Sequence, residues 1–164
     1  MERRGVALGG FMGVGKTTVG RRLADRLGLP FADTDALLAA RHGPIPAQFE
    51  AEGEAAFRAR EAALIAELCD GTPRVVATGG GVWVASALRD LLAADHRLVV
   101  LTASLATLRA RVGQASGRPL WAEAERLLAE RAPAYAQADL TVATDGRSIE
   151  EVVERIVQGL GRSS

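Results

Sequence analysis

Gly10-Phe11-Met12-Gly13-Val14-Gly15-Lys16-Thr17-Thr18 fits the spacing G-x-x-x-x-G-K-[ST] without a gap. Glycines at these positions let backbone N–H groups turn toward an anion, and a helix starting just after them adds its partial positive charge. The lysine then supplies a compact charge beside the β- and γ-phosphates of a nucleotide. The hydroxyl that follows, Thr17, is placed for a Mg²⁺ ion bridging those phosphates. Composition singles out the same residue. Of the 20 basic side chains, 19 are arginine and the exception is Lys16. A chain that uses guanidinium almost everywhere has kept an ammonium where a planar group would not fit.

A loop of this kind establishes phosphate binding and leaves the acceptor open. Related folds often place a metal-positioning aspartate at the end of a nearby strand. Here the third strand candidate runs into Thr78-Gly79-Gly80-Gly81, so that role must come from elsewhere. Asp33-Thr34-Asp35 follows the second strand candidate, and parallel strands bring such tips together on one side of a sheet. Two carboxylates at this spacing can divide the work, one toward metal and one toward a substrate hydroxyl. Asp35 before Ala-Leu-Leu is equally a good helix N-cap, and both readings stand on these residues alone. Three successive glycines cost backbone entropy, which points either to a flexible turn or to something that must approach the main chain closely. Arg58 lies on a helix whose apolar face is Phe57, Leu64 and Leu68, Arg118 in a Gly/Ser-containing loop, and Arg131 late in the last long helical stretch. Each arginine by itself reads equally as a surface charge.

Short apolar or β-branched runs alternate with amphipathic helical stretches from end to end, the pattern of an α/β domain whose parallel sheet is covered on both faces. Strands are expected at 5–8, 29–32, 74–77, 97–101 and 140–143. Helices are expected from Lys16 to Leu27, Asp35 to Arg41, near Ala47, Glu54 to Leu68, Val84 to Ala94, Leu105 to Val112, Ala122 to Ala138 and Ile149 to Leu160. The 164 residues suit one domain. Formal charge is zero without blocks of like sign, which argues against nucleic acid and membrane surfaces as partners. No apolar run is long enough for a membrane span, and Met1-Glu2-Arg3-Arg4 leaves no room for a signal peptide before the first strand. Cys69 is the single cysteine, so a reducing cytoplasm is expected, with Cys69 as a buried small hydrophobe. His42 and His96 lack metal-ligand spacing and are expected at the surface.

Taken together, these residues resemble the shikimate kinases, within the nucleoside-monophosphate-kinase-like group of phosphate-loop phosphotransferases. The resemblance runs through the glycine loop, Asp33-Thr34-Asp35, the segment Gly53-Glu54-Ala55-Ala56-Phe57-Arg58 to Glu61, Gly79-Gly80-Gly81, Arg118-Pro119-Leu120 and Arg131-Ala132-Pro133-Ala134-Tyr135. It implies a three-layer kinase fold around a five-stranded parallel sheet, formed by residues 1–164 as one domain. A helical region at about 35–68 would receive the acceptor, and a short lid at about 113–121 would close over it. ATP and Mg²⁺ are the implied cofactors, and shikimate the implied acceptor at its 3-hydroxyl. Gly13, Val14, Gly15, Lys16, Thr17 and Thr18 would wrap the nucleotide phosphates, with Thr17 and Asp33 serving the metal. Asp35 would orient the attacking hydroxyl, Arg58 and Arg131 would grip the carboxylate, and Gly80 would meet the ring hydroxyls through its backbone. Arg118 would close onto the phosphates and Arg147 would lie near adenine. Lys16, Asp35 and Arg118 are thus the implied catalytic groups, in a cytoplasmic enzyme expected to work as a monomer. The segment between Arg118 and Arg131 is shorter than the family pattern, and Trp121 stands where a second leucine is usual. Alternatives are a related small-molecule kinase, such as a gluconate kinase, or a nucleotide-binding module without turnover.

The lone ammonium yields a direct test. Lys16→Arg keeps the charge and changes its shape, so phosphoryl transfer should fall to background in a protein that still folds. Near-normal transfer by the folded variant would remove Lys16 from the phosphate site.

Overall fold

The computed structural model describes residues 5–10, 14–112 and 121–162. Five parallel strands, β1 (Gly5–Gly9), β2 (Phe31–Asp33), β3 (Val75–Ala77), β4 (His96–Thr102) and β5 (Leu140–Ala143), form one sheet in the order β2-β3-β1-β4-β5. The helices between them are α1 (Lys16–Leu27), α2 (Thr34–His42), α3 (Ile45–Leu68), α4 (Ser86–Asp95), α5 (Leu105–Val112) and α6 (Trp121–Tyr135), and α7 (Ile149–Arg162) follows β5. A 3₁₀ turn at Val82–Val84 precedes α4, so the helix expected from Val84 begins two residues later.

β1 is buried along its whole length and sends its side chains to two different cores. Val6 and Leu8 join Val99 and Leu101 of β4 beneath Val19 and Leu23 of α1 and Val152 and Ile156 of α7. Ala7 faces the other way, with Leu98 and Val100, toward Ile65, Trp83, Leu92 and Ala134. A third cluster gathers Leu38, Phe57, Leu64 and Leu68 on Val76 of β3, which is the apolar stripe that the spacing in α3 predicts. The period-two alternation of the strands is therefore what builds a helix-sheet-helix sandwich.

Local chemistry sets the element ends that matter for the site. Gly28 stops α1 in the left-handed region at φ 67°, its N–H reaching the carbonyls of Ala24 and Asp25. Gly53 has φ 85° inside α3 and divides it into the two helical stretches that the pattern predicts. Gln48 anchors the first half by donating to the carbonyls of Leu38 (3.2 Å) and Gly43 (2.7 Å).

His96 is a correction to the sequence reading. It is fully buried at the start of β4, where a Cβ on Gly5 would lie 2.6 Å from its Cδ2. Its Nδ1 donates to the Leu92 carbonyl at 3.1 Å, and burial lowers its pKa, so the ring is neutral packing. The folded chain also brings the His96, Cys69 and Asp95 side chains within 4.8 Å of one another, a proximity that their spacing gives no hint of. The Cys69 thiol is pushed up to about 11, mainly by burial and then by Asp95, and stays protonated as a small packing group.

Trp83 has no exposed surface, and a Cβ on Gly9 would meet its ring atoms at 2.5 to 2.9 Å. The indole is locked on all sides and cannot step aside. Gly9→Ala should therefore destabilise the fold by about 1–3 kcal/mol, the usual cost of overpacking a core. Chemical denaturation of the variant measures this, and an unchanged midpoint would mean that the Trp83 ring yields.

Candidate active site

β1 ends at the glycine loop, of which Gly10, Val14 and Gly15 are described and 11–13 are not. Gly10 and Gly15 take φ 138° and 97°, a region that side chains other than glycine rarely enter. Gly15 is the N-cap of α1 and offers no side-chain cap, and the first turn of α1 holds no acidic residue. The helix thus presents its first N–H groups and the positive end of its dipole, with no carboxylate of that turn competing for them. Lys16 folds back to donate to the Gly10 carbonyl at 2.5 Å. Burial lowers its pKa to about 8; Asp35 pulls upward, Arg131 pushes further down, and Asp33 again raises it. An ammonium that ionises this reluctantly gains most from a phosphate.

The end of β2 resolves the ambiguity at Asp35. The N-cap of α2 is Asp33, whose Oδ1 accepts from the Ala36 N–H at 3.0 Å. Its Oδ2 accepts from the Thr17 hydroxyl at 2.6 Å, so the two residues expected to serve a metal touch each other across 16 positions of chain. With the cap supplied two residues earlier, Asp35 is free to face the cleft. Its carboxylate is exposed to the cleft, yet crowded enough that desolvation raises its pKa; Asp33 adds to the rise, and Lys16 and Arg58 oppose it.

The triple glycine is a close-approach surface. None of the three has a positive φ, so backbone strain does not require glycine there. What requires it is the neighbours. A Cβ on Gly79 would lie 2.8 Å from Asp35 Oδ1 and 3.1 Å from Glu61 Oε2, one on Gly80 2.6 Å from Arg131 Nη1, and one on Gly81 2.9 Å from Arg58 Nη1. Three consecutive positions thus receive two carboxylates and two guanidinium groups. Thr34, fully buried, fixes the first of them by accepting from the Gly79 N–H at 3.0 Å. Arg58 pairs with Glu61 at 2.8 Å and reaches Glu54 at 3.6 Å, while its guanidinium also lies 5.5 Å from the Phe57 ring centre. Glu61 is buried, and desolvation raises its pKa against the pull of Arg58.

Lys16, Thr17, Asp33, Asp35, Arg58, Gly80 and Arg131 therefore surround one cleft at the ends of β1, β2 and β3. Val14, Gly15, Thr18 and Arg147 lie together at a separate cavity. With Val19, Thr144, Ile149 and Val152 they line this space of about 210 Å³, apolar enough to receive a flat base. Arg147 is steadied there by donating to the Ala143 carbonyl. Gly13 and Arg118 lie outside the described residues, as does the lid segment apart from the start of α6 at Trp121.

The shikimate kinase family model matches residues 12–161, nearly the whole chain. The chain belongs to the shikimate kinase family. A family member from Ruegeria pomeroyi is 45% identical over 163 residues, spanning 94% of this chain and 84% of the relative. Among solved structures, a shikimate kinase from Acinetobacter baumannii in complex with shikimate superposes with TM-score 0.90 at 33% identity, covering 98% of this chain and 94% of that one. A gluconokinase from Sinorhizobium meliloti superposes less well, with TM-score 0.70 at 25% identity over 99% of this chain and 94% of that one. The same fold thus reaches beyond the family.

Sequence reasoning missed Glu61 as a site residue and Thr34 as the support of the glycine turn. Glu61 stands three positions after Arg58 on one helix, a spacing at which opposite charges meet. Thr34 gave no signal, because its partner lies 45 positions away.

Because the chain has one lysine, its titration can be followed without interference from other lysines, and the labelled α-amino signal is identified by its persistence in Lys16→Arg. After ¹³C-methylation, NMR should show a single lysine signal losing its proton as pH rises through about 8, well below the ordinary 10.5. Adding ATP or ADP should move that midpoint upward, since an adjacent phosphate favours the charged form. A midpoint near 10.5 in the unliganded protein would show that Lys16 is solvated rather than held in the cleft.

Proposed function

We propose that this chain is the kinase that transfers the γ-phosphoryl group of ATP to the 3-hydroxyl of shikimate, giving shikimate 3-phosphate and ADP. The observation that carries this reading is the glycine triplet, whose first position is approached by two carboxylates and whose second and third positions are each approached by an arginine. A nucleotide-binding loop is common to many enzymes, whereas two guanidinium groups beside a hydroxyl-orienting aspartate suit a small polyhydroxy acid. A gluconate kinase would share the loop without needing this triplet.

In this reading the loop through Gly13, Val14, Gly15, Lys16, Thr17 and Thr18 cradles the phosphates, and Lys16 leaves the Gly10 carbonyl to reach them. Thr17 and Asp33 supply hard oxygen donors already 2.6 Å apart, which fits Mg²⁺ held partly through water. Bound there, the ion neutralises charge on the phosphates during transfer. Asp35 accepts the hydrogen bond of the attacking hydroxyl and turns its oxygen toward phosphorus. Arg58 and Arg131 hold the carboxylate, the Gly80 backbone meets the ring hydroxyls, and Arg147 lies along the base. Arg118 closes from the segment at about 113–121 to cover the transferred group. Positioning and charge neutralisation of this kind supply most of the catalysis in phosphoryl transfer. Residues 1–164 act as a single kinase domain, with about 35–68 receiving the acceptor. Among the described residues no helix is long and apolar enough to cross a membrane; the enzyme of this reading is a cytoplasmic monomer working on small molecules.

Coupled measurement of ADP release with shikimate, with gluconate and without acceptor tests the assignment: release should depend on shikimate. Two aspartates then separate chemistry from capping. Asp35→Asn should lower kcat by orders of magnitude and leave melting unchanged, because Asp35 caps nothing. Asp33→Ala should cost about 1 kcal/mol of stability as a lost cap and weaken the dependence on Mg²⁺. Full activity in Asp35→Asn would take the acceptor hydroxyl away from this residue.

A further inference from the structure

We propose that Tyr135 is a positioning residue for the acceptor. Its hydroxyl ties the Arg131 guanidinium to the Gly80 carbonyl, so that both groups meet the substrate as one unit. The inference rests on the acceptor reading above, which gives Arg131 the carboxylate and Gly80 the ring hydroxyls.

The Tyr135 hydroxyl donates to the Gly80 carbonyl at 3.1 Å; burial raises the pKa of this phenol, and the Arg131 guanidinium lies close enough to oppose the rise. The directions are forced. A carbonyl only accepts and a guanidinium only donates, and a phenol has one donor and free acceptor lone pairs, so the hydroxyl can serve the carbonyl and the guanidinium at once. Arg131 and Tyr135 are four positions apart on α6, which puts them on one face of the helix. The third contact closes the triangle, since Arg131 Nη1 lies 2.6 Å from the place a Gly80 Cβ would take.

The phenol ring is itself fixed from behind. Trp83 meets it edge-on, with centroids 6.0 Å apart and planes at 74°, and Trp83 is wholly buried against Gly9. The hydroxyl is therefore placed by the core rather than by solvent. A long arginine side chain would otherwise sample many rotamers, and ordering it at the moment of binding would weaken affinity. Tyr135 orders it beforehand and aligns it with the backbone that it must work beside. An effect of this kind falls on acceptor binding and spares the nucleotide.

Tyr135→Phe keeps the ring on Trp83 and removes one oxygen. The KM for shikimate should rise about ten-fold, the scale of a lost hydrogen bond to a charged group. The KM for ATP should stay within about two-fold and the melting temperature should not move. In an Arg131→Ala background the same change should add less than about two-fold, because its partner is already gone. An unchanged shikimate KM in folded Tyr135→Phe, or a full ten-fold effect persisting without Arg131, would overturn the proposal. A readout independent of the acceptor accompanies these. In the unliganded protein, the Gly81 amide and the Arg131 Nε–H resonances should both shift in Tyr135→Phe, since one follows the Gly80 carbonyl and the other reports the guanidinium. If wild-type protein did not phosphorylate shikimate, the acceptor reading would fall while these resonances still decided the bridge. If they do not move, the bridge is absent.

Discussion

Glu61 carries a carboxylate into the interior, with only 2% of its side chain exposed, and much of the cleft follows from keeping it there. An unpaired charge at that depth would cost several kcal/mol. Arg58 supplies the partner one helical turn away, and by doing so gives up its freedom to wander over the surface. Once fixed, the guanidinium occupies the space that a side chain at position 81 would need. The other side of Glu61 sets the spacing to Gly79 and, through it, to Asp35. Desolvation still outweighs the arginine, so the Glu61 pKa stays raised. Lys16, Arg58 and Arg131 share this cleft with Asp33, Asp35 and Glu61. An incoming acid or phosphate therefore enters a field already close to balance and can exchange partners rather than create new charge in isolation.

Much of this arrangement is legible in the sequence because it is local. The glycine loop has its own spacing, the strand and helix periods announce the layers, and Gly53 marks the break in α3 where two helical stretches were expected. The two readings of Asp35, cap or functional carboxylate, could not be separated that way. It stands at a plausible helix start, and only the folded backbone shows that Asp33, two residues earlier, accepts from the Ala36 N–H instead. The glycine triplet poses a similar problem. Its residue types say that side chains are unwelcome, and the folded chain shows that the intruders come from α2, α3 and α6.

His96 illustrates the opposite failure. A histidine next to Asp95 and Arg97 looks like a surface residue, yet it opens the most apolar strand of the sheet and is fully buried. The missing element is Gly5, whose lack of a side chain makes room for the ring from 91 positions away in the chain. Pairs that meet across such distances leave no periodic trace. Tyr135 and Gly80, or Thr34 and Gly79, belong to the same class, and they are what turns a set of recognisable segments into a cleft with fixed dimensions.

The outer strands of the sheet are its shortest but for β3 at the interior: β2 has three residues and β5 has four, against five and seven in β1 and β4. A parallel sheet with exposed margins is a template on which another chain could lay down its own backbone. Here the margins end almost as soon as they begin, and Asp33 diverts the β2 margin into a helix at its last residue. An intruding strand would find too few free amides and carbonyls to zip along. The same brevity that lets β2 deliver its aspartates to the cleft therefore also guards the molecule against self-association through its edges.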